Sequence, residues 1–450
     1  MKKDDVSEMS RRTFLATASA AALTPLFGAA SHEDLALHGG RPVRSAPLTT
    51  QFQGANFIDD KEKMQVAEVV DSRNLFRFYG FTKPEKARNF ELDFAKFIGA
   101  QYGLAVTSGT AALHIALNAL GVGPGDEVIL PAWTWYSCYN AIVMTGALPV
   151  FAETNESFTM DPEDLEKKIT PQTKAVMPVH VFGSPADMDK ILPLAREHNL
   201  KVLEDSAEAC GCLYKGQRTG SMGDISIFSF QVQKMITSGE GGAVVTNDPH
   251  LYERAIRFHD LGQVRPVFQG PLGVHGGEPE LVGLNYRMNE ETGAIIGAQL
   301  AKLDTMLDSQ RKKYQYLRTC LSGLQGLKLK ASNDVKGEIG IALDIILPSK
   351  ALRDKFLQAM DAENVPMSVI SASVVLPIMS YIETKQAPHP RWPSFTTPRG
   401  SAMRYGAECC PRTVDLWNRA ATLSVGPKYS DDDLKDIVRA ITKVHAALLG

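Results

Sequence analysis

Phe228-Ser229-Phe230-Gln231-Val232-Gln233-Lys234-Met235-Ile236-Thr237-Ser238-Gly239-Glu240-Gly241-Gly242 is the stretch on which the reading of this chain turns. The apolar run at 225–230 predicts a buried strand, and residues 242–246 predict another. Lys234 follows the end of the first, among glycines and other small residues. A lysine beside a sheet edge is ordinarily a solvated surface group. Its neighbours elsewhere in the chain change that reading.

Working outward, short apolar runs at 104–107, 127–130, 147–152, 175–181 and 201–205 also read as strands. Helical patterns lie between them, at 111–120 and through Ala141. Strands alternating with helices predict an α/β fold, a mostly parallel sheet with helices on both faces. Ligands of such sheets sit at the carboxyl ends of the strands. Several polar residues fall at those ends. Asp205 closes a strand, and a carboxylate there can pair with a protonated pyridine nitrogen. Ser108-Gly109-Thr110 turns from strand to helix, where backbone N–H groups and the helix dipole suit a phosphate. Ser229 can add a hydroxyl to the same anion. Trp135 lies just past a strand end and offers a face for ring stacking.

Residues 288–324 read as helical, with Leu300, Leu303, Met306 and Leu307 on one face, and connect to a second domain. In it, 339–347 reads as a strand, and Ser430-Asp431-Asp432-Asp433 starts a final helix with a Ser cap and acids in its first turn. Gly/Pro-rich loops are expected at 262–280 and 386–399, and an extended arm at 31–47.

The 450 residues carry a formal net charge of -3, which gives no basic field for nucleic acid. Composition is that of a globular protein, 44% hydrophobic and 22% charged. The six cysteines match no metal signature and read as small buried hydrophobes. Ser10-Arg11-Arg12-Thr13-Phe14-Leu15 matches the twin-arginine export pattern, and an uncharged alanine-rich run follows to Ala30. Residues 1–30 are therefore expected to be a signal peptide and the protein to be exported to the periplasm or beyond. A large domain is expected over 31–300 and a small one over 301–450. No stretch predicts a permanent membrane span.

These motifs together resemble the DegT/StrS-type sugar aminotransferases of the fold-type-I pyridoxal phosphate enzymes. The similar stretches include 39–44 (GGRPVR), 107–114 (TSGTAALH), 121–131 (GVGPGDEVILP), 170–188, 203–205, 214–216, 228–248 and 285–288 (NYRM). The resemblance covers about residues 35–303 and is weaker beyond. It implies a seven-stranded, mostly parallel sheet in an αβα sandwich and a smaller C-terminal α+β domain. It implies pyridoxal 5'-phosphate as cofactor, with Lys234 as the Schiff-base lysine and Asp205 as partner of the pyridine nitrogen. Trp135 matches the stacking aromatic, and Gly109, Thr110 and Ser229 match phosphate ligands. Asn285 matches an asparagine that reaches the neighbouring subunit's phosphate, which implies a homodimer with shared active sites.

Two positions depart from the family pattern. Glu208 stands where Gln or His usually approaches the cofactor's phenolic oxygen; an ionised carboxylate there would repel that oxygen, so either Glu208 is protonated, or it turns away, or the cofactor's electronics differ. Gln231 stands where many nucleotide-sugar enzymes have His, and leans the acceptor towards a keto cyclitol. The expected reaction moves an amino group from glutamate or glutamine to a keto sugar or keto cyclitol. In it the freed amine of Lys234 carries a proton between substrate and cofactor carbons. Two rival readings are a dehydratase on the same scaffold and an exported, non-catalytic sensor. Lys234 argues against the first, since that branch has His there. His180 and Arg287 are further candidates, each with a structural alternative: a core histidine and an ion pair.

Overall fold

The computed structural model describes residues 34–78, 85–265, 277–370 and 374–450. The expected signal peptide lies outside them, as does the middle of the loop expected at 262–280.

Strands β1 (Tyr102–Val106), β2 (Glu127–Pro131), β3 (Leu148–Ala152), β4 (Thr173–Val176) and β5 (Lys201–Asp205) come first. A small hairpin, β6 (Leu213–Tyr214) and β7 (Gln217–Arg218), precedes β8 (Ile225–Ser229) and β9 (Gly242–Thr246). The central sheet has seven strands in the order β1-β9-β8-β5-β4-β2-β3. Strand β9 is antiparallel to both its neighbours, and the remaining pairs are parallel. The expected mostly parallel sheet is thus present.

Side chains alternate across this sheet as the pleat requires. Leu104, Val106, Leu203, Ile225 and Ile227 pack on one face, with the helices Gly109–Ala119, Tyr136–Met144 and Pro249–His259. Ala105, Phe228, Ala243 and Val245 pack on the other, with Lys86–Ile98 and Glu290–Leu300. Both faces are therefore dry, which is why the strands read as continuous apolar runs.

A second, antiparallel sheet joins β10 (Lys328–Leu329), β11 (Ala342–Ile346) and β12 (Ala420–Ser424). Tyr314, Leu317, Phe356, Met360, Ile437 and Ile441 build its core from three helices. The last helix, Asp431–Leu448, starts as expected: Ser430 accepts from the Asp433 amide, and Asp433 returns a bond to the Ser430 amide.

The structure departs from expectation in four places. The strand expected at 175–181 stops at Val176. Proline at 178 lacks a ladder donor, and a short 3-10 turn, Val181–Gly183, follows. The helical stretch at 288–324 is two helices, Glu290–Leu300 and Leu303–Leu321. Leu303 packs in the first core and Leu317 in the second, so the latter helix spans both. The arm is not simply extended: Ala36–His38 forms a 3-10 turn. Its Ala36 and Val43 amides donate to the Glu363 carboxylate, each at 2.9 Å. The loop at 386–399 contains a helical turn, Pro393–Thr396, and Trp392 Nε1 donates to the Val143 carbonyl at 2.6 Å. Among the described residues, no helix is long and apolar enough to cross a membrane.

Candidate active site

Glu204 and Asp205 end β5 side by side, so the pleat sends them to opposite faces. Glu204 is fully buried and saturated. It accepts from the amides of Gly220 (2.8 Å), Met222 (2.7 Å) and Gly223 (2.6 Å). His180 Nε2 lies 3.0 Å from the same carboxylate, while His180 Nδ1 accepts from the Ala186 amide. His180 is therefore a satisfied core histidine, and this orientation puts its proton on Nε2.

Asp205 faces the other way and is only 4% exposed. Oδ1 accepts from the Ala207 amide at 2.9 Å, and Oδ2 accepts from the Cys138 thiol at 3.0 Å. Burial pushes the Asp205 carboxyl up, while Cys138, the Ala207 amide and Lys234 pull the other way. The Cys138 thiol is itself pushed well up, by burial and then by the Asp205 charge, so it stays a donor. Thr134 Oγ1 stands 3.3 Å behind that sulfur and completes a short chain to it. Cys138 was legible from sequence only as a buried hydrophobe. The overlooked signal is its place one turn after Trp135, at the start of a helix heading a strand end.

Lys234 sits in the irregular turn between β8 and β9. Its amide donates to the Gln231 carbonyl at 2.9 Å and its carbonyl accepts from the Gly54 amide at 3.0 Å. The backbone is thus pinned on both sides, while Nζ reaches Glu208 Oε1 at 3.4 Å. Glu208 Oε2 accepts from the Phe182 amide at 3.0 Å. Phe182 has a left-handed backbone, φ 51 and ψ 31, which aims that N–H. A cavity of about 310 Å³ adjoins this pair, lined among others by Thr50, Phe52, Phe182, Gln233 and Thr422.

The third component is the helix Gly109–Ala119. Ser108 Oγ caps it by accepting from the Ala111 amide at 3.0 Å. The Gly109 and Thr110 amides, first in the helix, have no intrahelical acceptor. Two glycines make this approach possible. A Cβ on Gly109 would lie 2.8 Å from Ser229 Cβ, and one on Gly242 would lie 2.5 Å from the Ser108 carbonyl. The turn, Ser229 and the start of β9 are therefore in close contact. Thr110 Oγ1 is 2.8 Å from Ser137 Oγ. Trp135 precedes this neighbouring helix and is 48% exposed, its ring tilted by 31° against that of Tyr136 with centroids 4.3 Å apart.

The structure thus brings Lys234, Asp205, Glu208, Ser229, Gly109, Thr110 and Trp135 to the carboxyl-end rim of one sheet. Gln231 is beside them, but its Oε1 accepts from the Gln233 amide at 2.9 Å. Asn285 is exposed, on a segment that runs past the end of β1 through the Thr107–Tyr286 bond of 3.0 Å. No hydrogen bond within the described residues joins it to Lys234 or Ser229. Arg287 pairs with Asp260, which also holds Arg265 at 2.7 Å. It is a structural ion pair in this chain.

The donor set suits pyridoxal phosphate. It combines a primary amine, a buried carboxylate for a ring nitrogen, an aromatic face, and free amides with hydroxyls for a phosphate. The glycine at 109 leaves that last cradle open where a Cβ would fill it.

Residues 57–442 match the DegT/DnrJ/EryC1/StrS aminotransferase family. A GDP-perosamine synthase of Escherichia coli O157:H7 is 44% identical over 257 residues, 57% of this chain and 67% of that protein. The spore coat polysaccharide biosynthesis protein SpsC of Bacillus subtilis is 33% identical over 86% of this chain and 95% of its own length. Among solved structures, 3-amino-5-hydroxybenzoic acid synthase has a TM-score of 0.74 at 27% identity, covering 90% of this chain and 100% of that one. DesV of S. venezuelae, solved with a ketimine intermediate, has a TM-score of 0.73 at 28% identity, covering 89% and 99%.

Proposed function

The chain belongs to the DegT/DnrJ/EryC1/StrS aminotransferase family, and on that premise we propose which residues do its work and on what. It is a pyridoxal-phosphate-dependent aminotransferase acting on keto sugars. The convergence of Lys234 with Asp205, Ser229 and the start of the helix Gly109–Ala119 carries the residue assignment. Lys234 is the lysine that takes up the cofactor and, once freed, moves a proton at Nζ. Asp205 holds the ring nitrogen in its protonated state. The Gly109 and Thr110 amides and the Ser229 hydroxyl hold the phosphate, Trp135 covers the ring, and Gln231 and Glu208 border it. When bound, the cofactor supplies an electron sink for the carbon that loses its proton.

The donor is glutamate or glutamine. The acceptor is a keto sugar or keto cyclitol, and relatives named for GDP-perosamine and for spore coat polysaccharide favour a sugar that ends in a surface glycan. Asn285, exposed in a single chain, completes the site of a second subunit in a homodimer. Residues 31–300 form the cofactor-binding domain and 301–450 the small one. The leader at 1–30 directs twin-arginine export, supported by the Ser10–Leu15 pattern.

The test is reconstitution of the purified chain with pyridoxal phosphate, followed in the visible. A lysine-linked band is expected, absent in Lys234→Ala and converted by glutamate or glutamine. The aminated form is then offered keto sugars and keto-inositols. A band that no amino donor converts overturns the assignment. Light scattering at twice the chain mass checks the dimer, and fractionation of an Arg11→Lys/Arg12→Lys variant checks export.

A further inference from the structure

Glu208 is the residue that the family pattern leaves without a part, and its geometry is specific. Its two oxygens are not equivalent. Oε2 is held by the Phe182 amide at 3.0 Å, and Oε1 lies 3.4 Å from Lys234 Nζ. The clamp on Oε2 is well built. The Val181 carbonyl accepts from the Ser184 amide at 2.9 Å, and the Gly183 carbonyl accepts from the Ile339 amide at 2.9 Å. Ser184 Oγ also accepts from the buried ammonium of Lys330. The turn carrying Phe182 is therefore tied to the segment that holds Lys330 and Ile339, and through it Glu208 is fixed with one oxygen turned to the lysine nitrogen.

A Gln or His at this position brings an N–H to a neighbouring acceptor. A carboxylate brings only charge and lone pairs. The other carboxylate of the site, Asp205, is committed to a different place by Cys138 and Ala207. The pocket thus has two separate acidic positions, one for a ring nitrogen and one at the lysine nitrogen.

We propose that Glu208 is the counter-ion of the Lys234 nitrogen, both as free ammonium and when that nitrogen is joined to the cofactor, where it keeps the nitrogen protonated. This rests on the function proposed above and gives Glu208 a part in the same site. The other titratable groups that face Glu208 are Asp205 and Cys138 from the central sheet side and Asp344 from β11. Asp344 is itself covered by Thr422 Oγ1 at 2.8 Å and by Lys330 at 3.8 Å. Of these groups only Glu208 is within hydrogen-bonding reach of Lys234 Nζ among the described residues.

The experiment is a pH titration of the visible band of the reconstituted protein, with no substrate present. Protonation of the lysine-linked nitrogen sets the band's position, so the midpoint reads its proton affinity directly. An opposite charge at this distance shifts such a midpoint by about one to three pH units. In Glu208→Gln the midpoint is expected to fall by about that much relative to wild type. In Glu208→Asp, which keeps the charge but withdraws it, the fall is expected to be smaller. Equal midpoints in wild type and Glu208→Gln overturn the proposal, because a neutral residue bonded to the ring oxygen would give that result. Should Glu208→Gln take up no cofactor, Glu208→Asp decides: an unchanged midpoint overturns the proposal. A wild-type chain that forms no visible band at all overturns the proposed function instead.

Discussion

Glu204 and Asp205 are adjacent acids with opposite fates, and only their faces separate them. Both are buried, yet the Glu204 carboxyl is held down against its burial by His180 and the Gly220 and Gly223 amides, while Asp205 is pushed up. In the cofactor-free chain Asp205 is therefore a cost to folding. Between the ordinary value of 3.8 and its raised folded value, the folded chain keeps a proton that the unfolded chain has lost. Stability falls as pH rises through that window and stays lower above it. Asp205→Asn is therefore expected to gain in melting temperature over cofactor-free wild type as pH rises from below that window to neutrality, while binding the cofactor less tightly. A difference that does not change with pH would refute the first half. Cys138 is predicted to act on the same carboxylate. Cys138→Ala leaves Oδ2 without its donor and should cost about 1 kcal/mol of cofactor affinity. Cys138→Ser should restore it, as read by titration with pyridoxal phosphate.

Among elements, the turn from β1 into the helix Gly109–Ala119 shows how backbone contacts set a site. Gly242 follows Lys234 by eight residues and opens β9, and its place against the Ser108 carbonyl leaves no room for a Cβ. Gly242→Ala should push β9 off the turn. The expected loss is about 1–3 kcal/mol by urea denaturation, together with weaker phosphate retention during dialysis. A variant as stable and as cofactor-retentive as wild type would show that the contact relaxes freely. The short turn Val181–Gly183 works similarly. Its sequence read as the tail of a strand, because Val179 and Val181 continue the apolar run. Proline at 178 and the bond from Ile339 turn it into the clamp on Glu208 instead. A pattern of apolar residues does not encode which distant segment will take a backbone hydrogen bond.

At the scale of the whole molecule, the first core and the second meet around Lys330. This lysine is 1% exposed, 3.7 Å from Glu338 and 3.8 Å from Asp344, and donates to Ser184. Lys330→Met would leave two buried acids without their cation. The expected cost is about 3–5 kcal/mol in urea denaturation, with release of the Phe182 turn seen as faster amide exchange at Phe182 and Gly183. Equal stability would show that the acids take up protons at little cost.

The sequence by itself marked the apolar runs that become strands and the cap of the last helix, and singled out Lys234, Asp205 and Ser108-Gly109-Thr110 as candidates. Each of these depends on local period, local chemistry or a short motif, and Ser430, Asp205 and the run to Gly242 carry their meaning within a few residues. Tertiary structure alone decided that Cys138 serves Asp205, that His180 belongs to Glu204, and that Glu208 looks at Lys234 rather than away. Those choices depend on contacts between segments tens to hundreds of residues apart, such as Ile339 on Gly183 and Lys330 on Ser184. Packing selects such contacts from many that the sequence permits.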